Sequence, residues 1–369
     1  MILQDFTDRA MNIGKAVLLL SKAYIALAEN KIPFKSFPSV MLWGSPGVGK
    51  SQGVKQIADR ISKSTKKEVK VTDVRLLLFN PVDLRGIPTS NADKTLAVWL
   101  KPQIFQMDAS DDVINILFLD EISAAPPSVQ AAAYQITLDR TVGEHKLPEN
   151  CIVIAAGNRV TDRSVAFNMP KALANRLCHI EICSDADSWY QWAISAGVNS
   201  KVLGFIKTNP DFLMQFKLSE GDNAFPTPRS WEMVSNILNN ISPSVSEMFE
   251  LIAGCIGWEV AADFQTWCDV FGTIPAVEDI FSGKTQETPV HPEGLFAITS
   301  DIVVYAKEHH SREEISNVLA YVSMLPKEFR NSVFADLLSV EGIHSQLQAD
   351  WDYNFWFERS GRDWEDYGL

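Results

Sequence analysis

The chain has 369 residues, of which 46% are hydrophobic and 21% charged, and its formal net charge is −13. This composition is that of a globular protein and excludes whole-chain disorder, while the acidic balance disfavours a protein that coats DNA or an anionic membrane surface. Five irregularly spaced cysteines do not suggest a disulfide framework, and no run of about 18 apolar residues predicts a membrane span. We therefore expect a soluble, cytoplasmic protein without membrane insertion.

Short apolar strands alternate with helical segments in the first half of the chain. Apolar positions between 16 and 27 recur at helical spacing and predict an amphipathic helix before the main domain. Helices are also predicted at 50–61 and 128–138. Strands are predicted at 40–43, 69–74, 114–119, 151–156 and 179–183. The alternation predicts an α/β fold whose parallel sheet is covered by helices on both faces.

The second half of the chain lacks strand signals after about residue 184. Helical segments separated by proline-containing breaks follow, and the polar stretch 281–293 reads as a linker before further helices such as 312–324. We therefore expect an α/β domain over 1–185, an all-helical domain over 186–283 and a helical extension over 284–369.

A glycine-rich segment follows the first predicted strand of the sheet. It matches the phosphate-loop pattern GxxxxGK[ST] with Gly44, Ser45, Pro46, Gly47, Val48, Gly49, Lys50 and Ser51, and Gln52 completes the predicted binding set. Glycines let backbone N–H groups point at phosphate oxygens, and the helix that begins here adds its positive end. We predict that this segment binds ATP, with Lys50 on the β- and γ-phosphates and Ser51 on Mg²⁺. The alternative is a tight glycine turn, which the flanking strand and helix disfavour.

Two acidic residues follow the apolar strand at 116–119. A buried strand would place Asp120 at its carboxyl end beside the phosphate loop, where a carboxylate suits the Mg²⁺ shell. Glu121 could then act as the general base for the water that attacks the γ-phosphate.

These motifs resemble those of the AAA+ ATPases and, within them, the MoxR-like group of the helix-2-insert clade. The resemblance implies that Asn158, in the segment 155–159, is the sensor-1 residue that orients the lytic water. It implies that Arg176, in the segment 172–176, is an arginine finger acting on the ATP of a neighbouring subunit. Arg229, at the start of a predicted lid helix, resembles the sensor-2 arginine.

Two further segments carry the resemblance to the clade. Residues 80–88, with Trp99 and Pro102, resemble the helix-2 insert, and residues 140–148 resemble the hairpin before sensor 1. The resemblance implies a P-loop AAA+ core with a helical lid and a C-terminal helical extension. It further implies a homo-oligomeric ring, expected to be a hexamer, that remodels a protein client, often with a von Willebrand factor A-domain partner.

Several alternatives remain open from the sequence. Arg229 could simply belong to an ordinary helix start, and Arg140, Arg159 and Arg163 are rivals of Arg176 for the finger. The chain could instead be a nucleic-acid-stimulated motor, against which the acidic charge counts, or a nucleotide-gated scaffold, against which the intact Asp120–Glu121 pair counts.

Two other features lie outside the nucleotide motifs. Cys178, His179 and Cys183 do not have the spacing of a metal site, and buried structural cysteines are expected there. The segment 350–369 combines seven aromatic and six acidic residues, and either packs on the protein or docks a partner.

Overall fold

The computed structural model describes residues 10–159, 169, 174–215, 224–271, 274–290, 292–338, 340 and 343. The chain divides into two compact units, residues 1–184 and 185–369. The aromatic and acidic segment 350–369 lies outside the described residues. Within the described part of the chain, no helix is both long and apolar enough to cross a membrane.

A six-stranded parallel sheet forms the centre of the first unit, with the strand order β1-β10-β2-β9-β6-β3. Every strand expected from the sequence is present within one or two residues of its predicted bounds. The two-residue β1 at the edge was not predicted, because so short a segment carries no periodicity. The strands are β1 (Met11–Asn12), β2 (Val40–Trp43), β3 (Glu68–Arg75), β6 (Val113–Asp120), β9 (Cys151–Gly157) and β10 (Cys178–Cys183).

Helices flank this sheet, as the alternation of strands and helices predicted. The helix α1 ends at an asparagine, and α2 begins at the last residues of the phosphate-loop motif. The three long helices of this unit are α1 (Ile13–Glu29), α2 (Lys50–Thr65) and α4 (Pro127–Asp139). The sheet strands β6 and β9 are apolar and almost wholly buried, as expected for central parallel strands covered on both faces.

Two segments outside the main sheet, residues 80–100 and 140–148, form hairpins that contact each other. The insert contains α3 (Pro81–Arg85) and the antiparallel pair β4 (Ile87–Ser90) and β5 (Ala97–Leu100). The second hairpin pairs β7 (Thr141–Val142) with β8 (His145–Lys146). His145 Nε2 lies 2.8 Å from the carbonyl oxygen of Trp99 in β5, which ties the two hairpins together.

A glycine allows the close approach of these hairpins. Gly143 has φ +57°, and a Cβ built on it would lie 2.7 Å from the carbonyl oxygen of Arg85. Any other residue at this turn would push α3 and the hairpin apart.

The second unit is built of helices around a single hydrophobic core. The bounds are α5 (Ala186–Ala196), α6 (Ser200–Thr208), α7 (Pro228–Asn240), α8 (Phe249–Ile256), α9 (Trp258–Phe271), α10 (Val277–Phe281), α11 (Pro292–Tyr305), α12 (Arg312–Met324) and α13 (Lys327–Leu338). The core runs from Trp189 to Ile343 and so contains residues of both the predicted lid and the predicted extension. The division between these two segments at 283 and 284 stays a functional prediction.

A buried ion pair also joins the two predicted helical segments. Lys207 Nζ in α6 lies 2.6 Å from Asp336 Oδ2 in α13, and Asp336 is only 4% exposed. Tyr190 in α5 accepts a hydrogen bond from the same ammonium group at 3.2 Å. Breaking one partner of so buried a pair would leave an uncompensated charge, so the pair fixes the position of α13 on the helical unit.

The cysteine expectation is partly wrong. Cys178 is half-buried and Cys183 is exposed, because these strand residues lie near the edge of the sheet, where only the short β1 covers β10.

Trp231 lies at the centre of the helical core, and its substitution tests how that core is packed. It is fully buried, its ring lies 5.4 Å from the rings of Phe205 and Phe264, and its Nε1 donates to the carbonyl oxygen of Phe212 at 2.8 Å. We expect Trp231→Ala to lower the free energy of unfolding of the helical unit by about 3–5 kcal/mol. Trp258→Ala is the matched control, since this side chain is 55% exposed. The free energies of unfolding are measured by denaturant titration. Equal losses for the two variants would contradict a core organised around Trp231.

Candidate active site

The glycine-rich segment forms the turn between β2 and α2 at the carboxyl edge of the sheet. Gly47 and Gly49 have φ values of +85° and +90°, which only glycine adopts without strain. A Cβ on Gly44 would lie 2.7 Å from the carbonyl oxygen of Ile182 in β10, so the loop also requires a glycine for close packing. Gln52, predicted with this set, is exposed on the first turn of α2.

Lys50 is buried, and its ammonium group connects the loop with the end of β9. Its Nζ donates hydrogen bonds to the carbonyl oxygen of Gly44, to that of Ser45 at 3.0 Å and to Asn158 Oδ1 at 2.9 Å. The loop lysine and the predicted sensor asparagine, 108 residues apart in the chain, are therefore in direct contact.

Asp120 and Glu121 lie at the carboxyl end of β6, beside the loop. The Ser51 hydroxyl donates to Asp120 Oδ2 at 3.0 Å, and Asp120 Oδ1 accepts from the Glu121 backbone N–H at 2.8 Å. The hydroxyl and the carboxylate are adjacent oxygen ligands of the kind that hard divalent cations prefer. Glu121 has φ +57°, a left-handed backbone uncommon for a residue other than glycine, which marks the abrupt turn at the end of the strand.

Ser123, which sequence reasoning did not single out, fixes the backbone at Asn158. Its hydroxyl oxygen accepts a hydrogen bond from the Asn158 backbone N–H at 2.9 Å. Gly157 lets this approach happen, because a Cβ there would lie 2.7 Å from Ser123 Oγ and 2.8 Å from Met41 Cε. No sequence pattern carries this contact, since it depends on β6 and β9 being neighbours in the sheet.

Asp73 on β3 is an acidic residue near the site that the sequence analysis did not identify. Partial burial, followed in size by the nearby Asp120 carboxylate, raises the pKa of Asp73 above its ordinary value. Asp73 therefore lies close enough to Asp120 for the two carboxyl groups to interact electrostatically.

Arg176 lies at the amino-terminal ends of the sheet strands, whereas the loop lies at their carboxyl-terminal ends. Two residues after it, Cys178 begins β10 in register with Val40, the first residue of β2, whereas the loop follows the last residue of β2. Arg176 is exposed and lines a cavity of about 660 Å³ at the amino ends of the strands. The structure therefore separates Arg176 from the phosphate loop of the same chain.

Two of the rival arginines are engaged within the chain. Arg140 donates to the carbonyl oxygen of Cys151 at 2.8 Å, and Arg159 forms an ion pair with Glu181. Arg163 lies outside the described residues.

Arg229 is exposed at the start of α7 in the helical unit. Thr227 caps this helix by accepting from the Ser230 backbone N–H at 3.1 Å, and Ser230 Oγ accepts in return from the Thr227 backbone N–H. The ordinary helix start is therefore present, and the sensor-2 role of Arg229 stays a prediction.

Comparison with protein families gives a match over the part of the chain that contains this site. Residues 39–179 match the ATPase family associated with various cellular activities (AAA). This part of the chain is therefore similar to the ATPase domains of that family. The match includes the loop, Asp120, Glu121, Asn158 and Arg176, and ends before the helical unit that carries Arg229.

Solved structures similar to the chain include three from distant sources. A RuvB variant from Thermotoga maritima is 13% identical, with 84% of this chain and 91% of that chain covered and a TM-score of 0.36. NtrX from Brucella abortus in complex with ADP is 13% identical, with 87% and 67% covered and a TM-score of 0.36. PCH-2 from C. elegans is 13% identical, with 69% and 66% covered and a TM-score of 0.33. TM-scores this low carry no argument about function, and a search of curated proteins finds no match.

The packing of Gly157 at the end of β9 gives a direct test of the site geometry. We expect Gly157→Ala to displace Ser123 and with it Asn158, and to lower the free energy of unfolding by about 1–3 kcal/mol through overpacking. Gly254→Ala in α8 is the matched control, because a Cβ there meets nothing within 4 Å. Chemical denaturation should leave this control unchanged or stabilised by up to about 1 kcal/mol. Equal stabilities for the two variants would contradict the close contact at Gly157.

Proposed function

We propose that the chain is a MoxR-like AAA+ ATPase that hydrolyses ATP with Mg²⁺ in a homo-oligomeric ring, a hexamer, and uses the cycle to remodel a protein client. The observation that carries this proposal is the bonded set Lys50, Ser51, Asp120 and Asn158 at one edge of the sheet. Lys50 and Ser51 begin α2, Asp120 ends β6 and Asn158 follows β9. Phosphoryl transfer depends on positioned groups of these kinds around the phosphates and the metal ion.

The oxygen donors of Ser51 and Asp120 fit a magnesium ion, which prefers hydroxyl, carboxylate and water oxygens. Such an ion neutralises charge on the β- and γ-phosphate oxygens. In the structure, the Lys50 ammonium group is bonded to carbonyl and amide oxygens. Phosphate oxygens are stronger acceptors than these neutral groups, so we expect Lys50 to exchange its bond with Asn158 for the β- and γ-phosphates of ATP.

Glu121 and Asn158 are then positioned for the attacking water. In the hydrolysis step, the water oxygen forms a bond to the γ-phosphorus while the bond to the bridging oxygen of ADP breaks, and Glu121 accepts the proton of the water. Asn158, released from Lys50, holds the water or a γ-phosphate oxygen through its amide.

Glu121→Gln tests the base. Because the amide cannot accept a proton, we expect the steady-state rate of ATP hydrolysis to fall about 100-fold or more, while ATP still binds. Glu149→Gln is the control, since this exposed side chain pairs with Lys35 away from the loop. Hydrolysis by Glu121→Gln at the wild-type rate would exclude Glu121 as the base and favour a role for the chain as a nucleotide-gated scaffold.

The position of Arg176 supports a requirement for assembly. Arg176 is exposed at the edge of the sheet opposite the loop of its own subunit, so an ATP that it stabilises belongs to a neighbour. Head-to-tail contacts of this kind close into a ring. Arg229 is proposed to reach the γ-phosphate from the lid.

Mixed oligomers test whether Arg176 acts between subunits. We expect Arg176→Ala to lower the hydrolysis rate about 10³-fold without loss of ATP binding, and Arg312→Ala on the exposed start of α12 to have no such effect. Mixing Arg176→Ala subunits with Glu121→Gln subunits should restore part of the activity, because the second supplies the arginine that the first lacks. If the mixture hydrolyses ATP no faster than the two variants do separately, Arg176 does not act in trans.

The protein client and a von Willebrand factor A-domain partner are proposed from the resemblance and from the acidic charge of the chain. The Glu121→Gln variant should retain ATP and client together, so proteins that co-purify with it identify the client. Stimulation of wild-type hydrolysis by DNA or RNA would favour the alternative, a nucleic-acid-stimulated motor.

A further inference from the structure

His179 connects the strand that leads into the phosphate loop with the turn that carries Arg176. Trp43 is the last residue of β2, and its indole Nε1 donates to His179 Nδ1 at 2.7 Å. The two rings are nearly parallel, with 10° between their planes. On its other side, His179 Nε2 lies 2.7 Å from the carbonyl oxygen of Ala174.

These two contacts fix the tautomer of His179. An indole N–H can only donate, so Nδ1 of the imidazole must accept and the ring proton resides on Nε2. Nε2–H then donates to the Ala174 carbonyl oxygen. One neutral tautomer satisfies both partners at once, which orients the ring.

The carbonyl group that His179 holds closes the turn around Arg176. The Ala174 oxygen also accepts from the Leu177 backbone N–H at 3.3 Å, so Asn175 and Arg176 are the two central residues of a four-residue turn. Leu177 is only 8% exposed and anchors the far end of this turn in the domain. His179 and Leu177 together determine where the exposed Arg176 side chain begins.

Arg159 and Glu181 lie beside Trp43. The guanidinium carbon of Arg159 lies 5.4 Å from the centroid of the Trp43 ring, and Arg159 Nε donates to Glu181 Oε2 at 2.7 Å. Glu181 pairs in register with Trp43 across β10 and β2. A cation over an aromatic face and a bidentate carboxylate both restrict the rotation of the indole, so its N–H stays directed at His179.

We propose that His179, oriented by Trp43, is a positioning residue for Arg176 and so contributes to ATP hydrolysis in the neighbouring subunit. This inference rests on the proposed trans action of Arg176. The bond to Ala174 fixes the turn and so the backbone position from which the Arg176 side chain extends, and a displacement of a catalytic group by about 1 Å is sufficient to cost a large factor in rate.

The mixed oligomers separate this role from a general effect on stability. His179→Phe keeps a ring against Trp43 and removes both hydrogen bonds, while the Ala174 oxygen retains its bond from Leu177. The substitution is placed once on the Glu121→Gln subunit, which supplies the arginine, and once on the Arg176→Ala subunit, which supplies the working ATP site.

The proposal predicts an asymmetric result. On the arginine-supplying subunit, His179→Phe should lower the restored rate about tenfold, and on the subunit with the working site it should lower the rate by less than about twofold. His179→Gln on the arginine-supplying subunit should recover most of the rate, because the amide oxygen accepts from Trp43 and the amide nitrogen donates to Ala174.

Equal losses in both arrangements, or no loss in either, would overturn the role of His179 while leaving the proposed function intact. Failure of the parent mixture, without any substitution at His179, would overturn both. If His179→Phe does not assemble, Trp43→Phe removes the indole donor and should give the same asymmetry. His309→Phe in the helical unit is the matched control, since His309 also stacks on an aromatic ring, Tyr305 at 3.9 Å.

Discussion

The register of the parallel sheet is the constraint on which the site depends. Because β2, β6 and β9 are parallel neighbours, their carboxyl ends meet at one edge, and the residues that follow them share a single region. The contact between Lys50 and Asn158 and the contact between Ser51 and Asp120 both follow from this alignment. A shift of one residue in any of the three strands would reverse the faces and separate these groups.

The same register also separates the candidate site residues between the two ends of the strands. The carboxyl edge carries the phosphate loop and its acidic partners, whereas the amino edge carries the turn of Arg176. Within one chain, Arg176 is therefore separated from the phosphate loop. The insert and the second hairpin add a further tie, because the bond between His145 and Trp99 joins two segments that are 46 residues apart.

Much of the fold could be predicted from the sequence because its patterns are local. The apolar runs that became β2, β6 and β9, and the helical spacing that became α12, predicted their elements closely. The short β1, the β4–β5 pair and the exposure of Cys183 could not be predicted in this way. They depend on which strand lies next to them, and a two-residue strand gains its stability from its partner rather than from its own composition.

The sequence by itself determined the chemistry of the phosphate loop, since the glycines, Lys50 and Ser51 are contiguous and the turn requires their residue types. It also determined that Asp120 and Glu121 end a buried strand. Only the tertiary structure decided that Ser123 holds Asn158, that Asp73 lies near Asp120 and that His179 joins Trp43 to the turn of Arg176. These contacts join residues from different strands, and the physical reason that they escape sequence reasoning is that strand order and register bring them together.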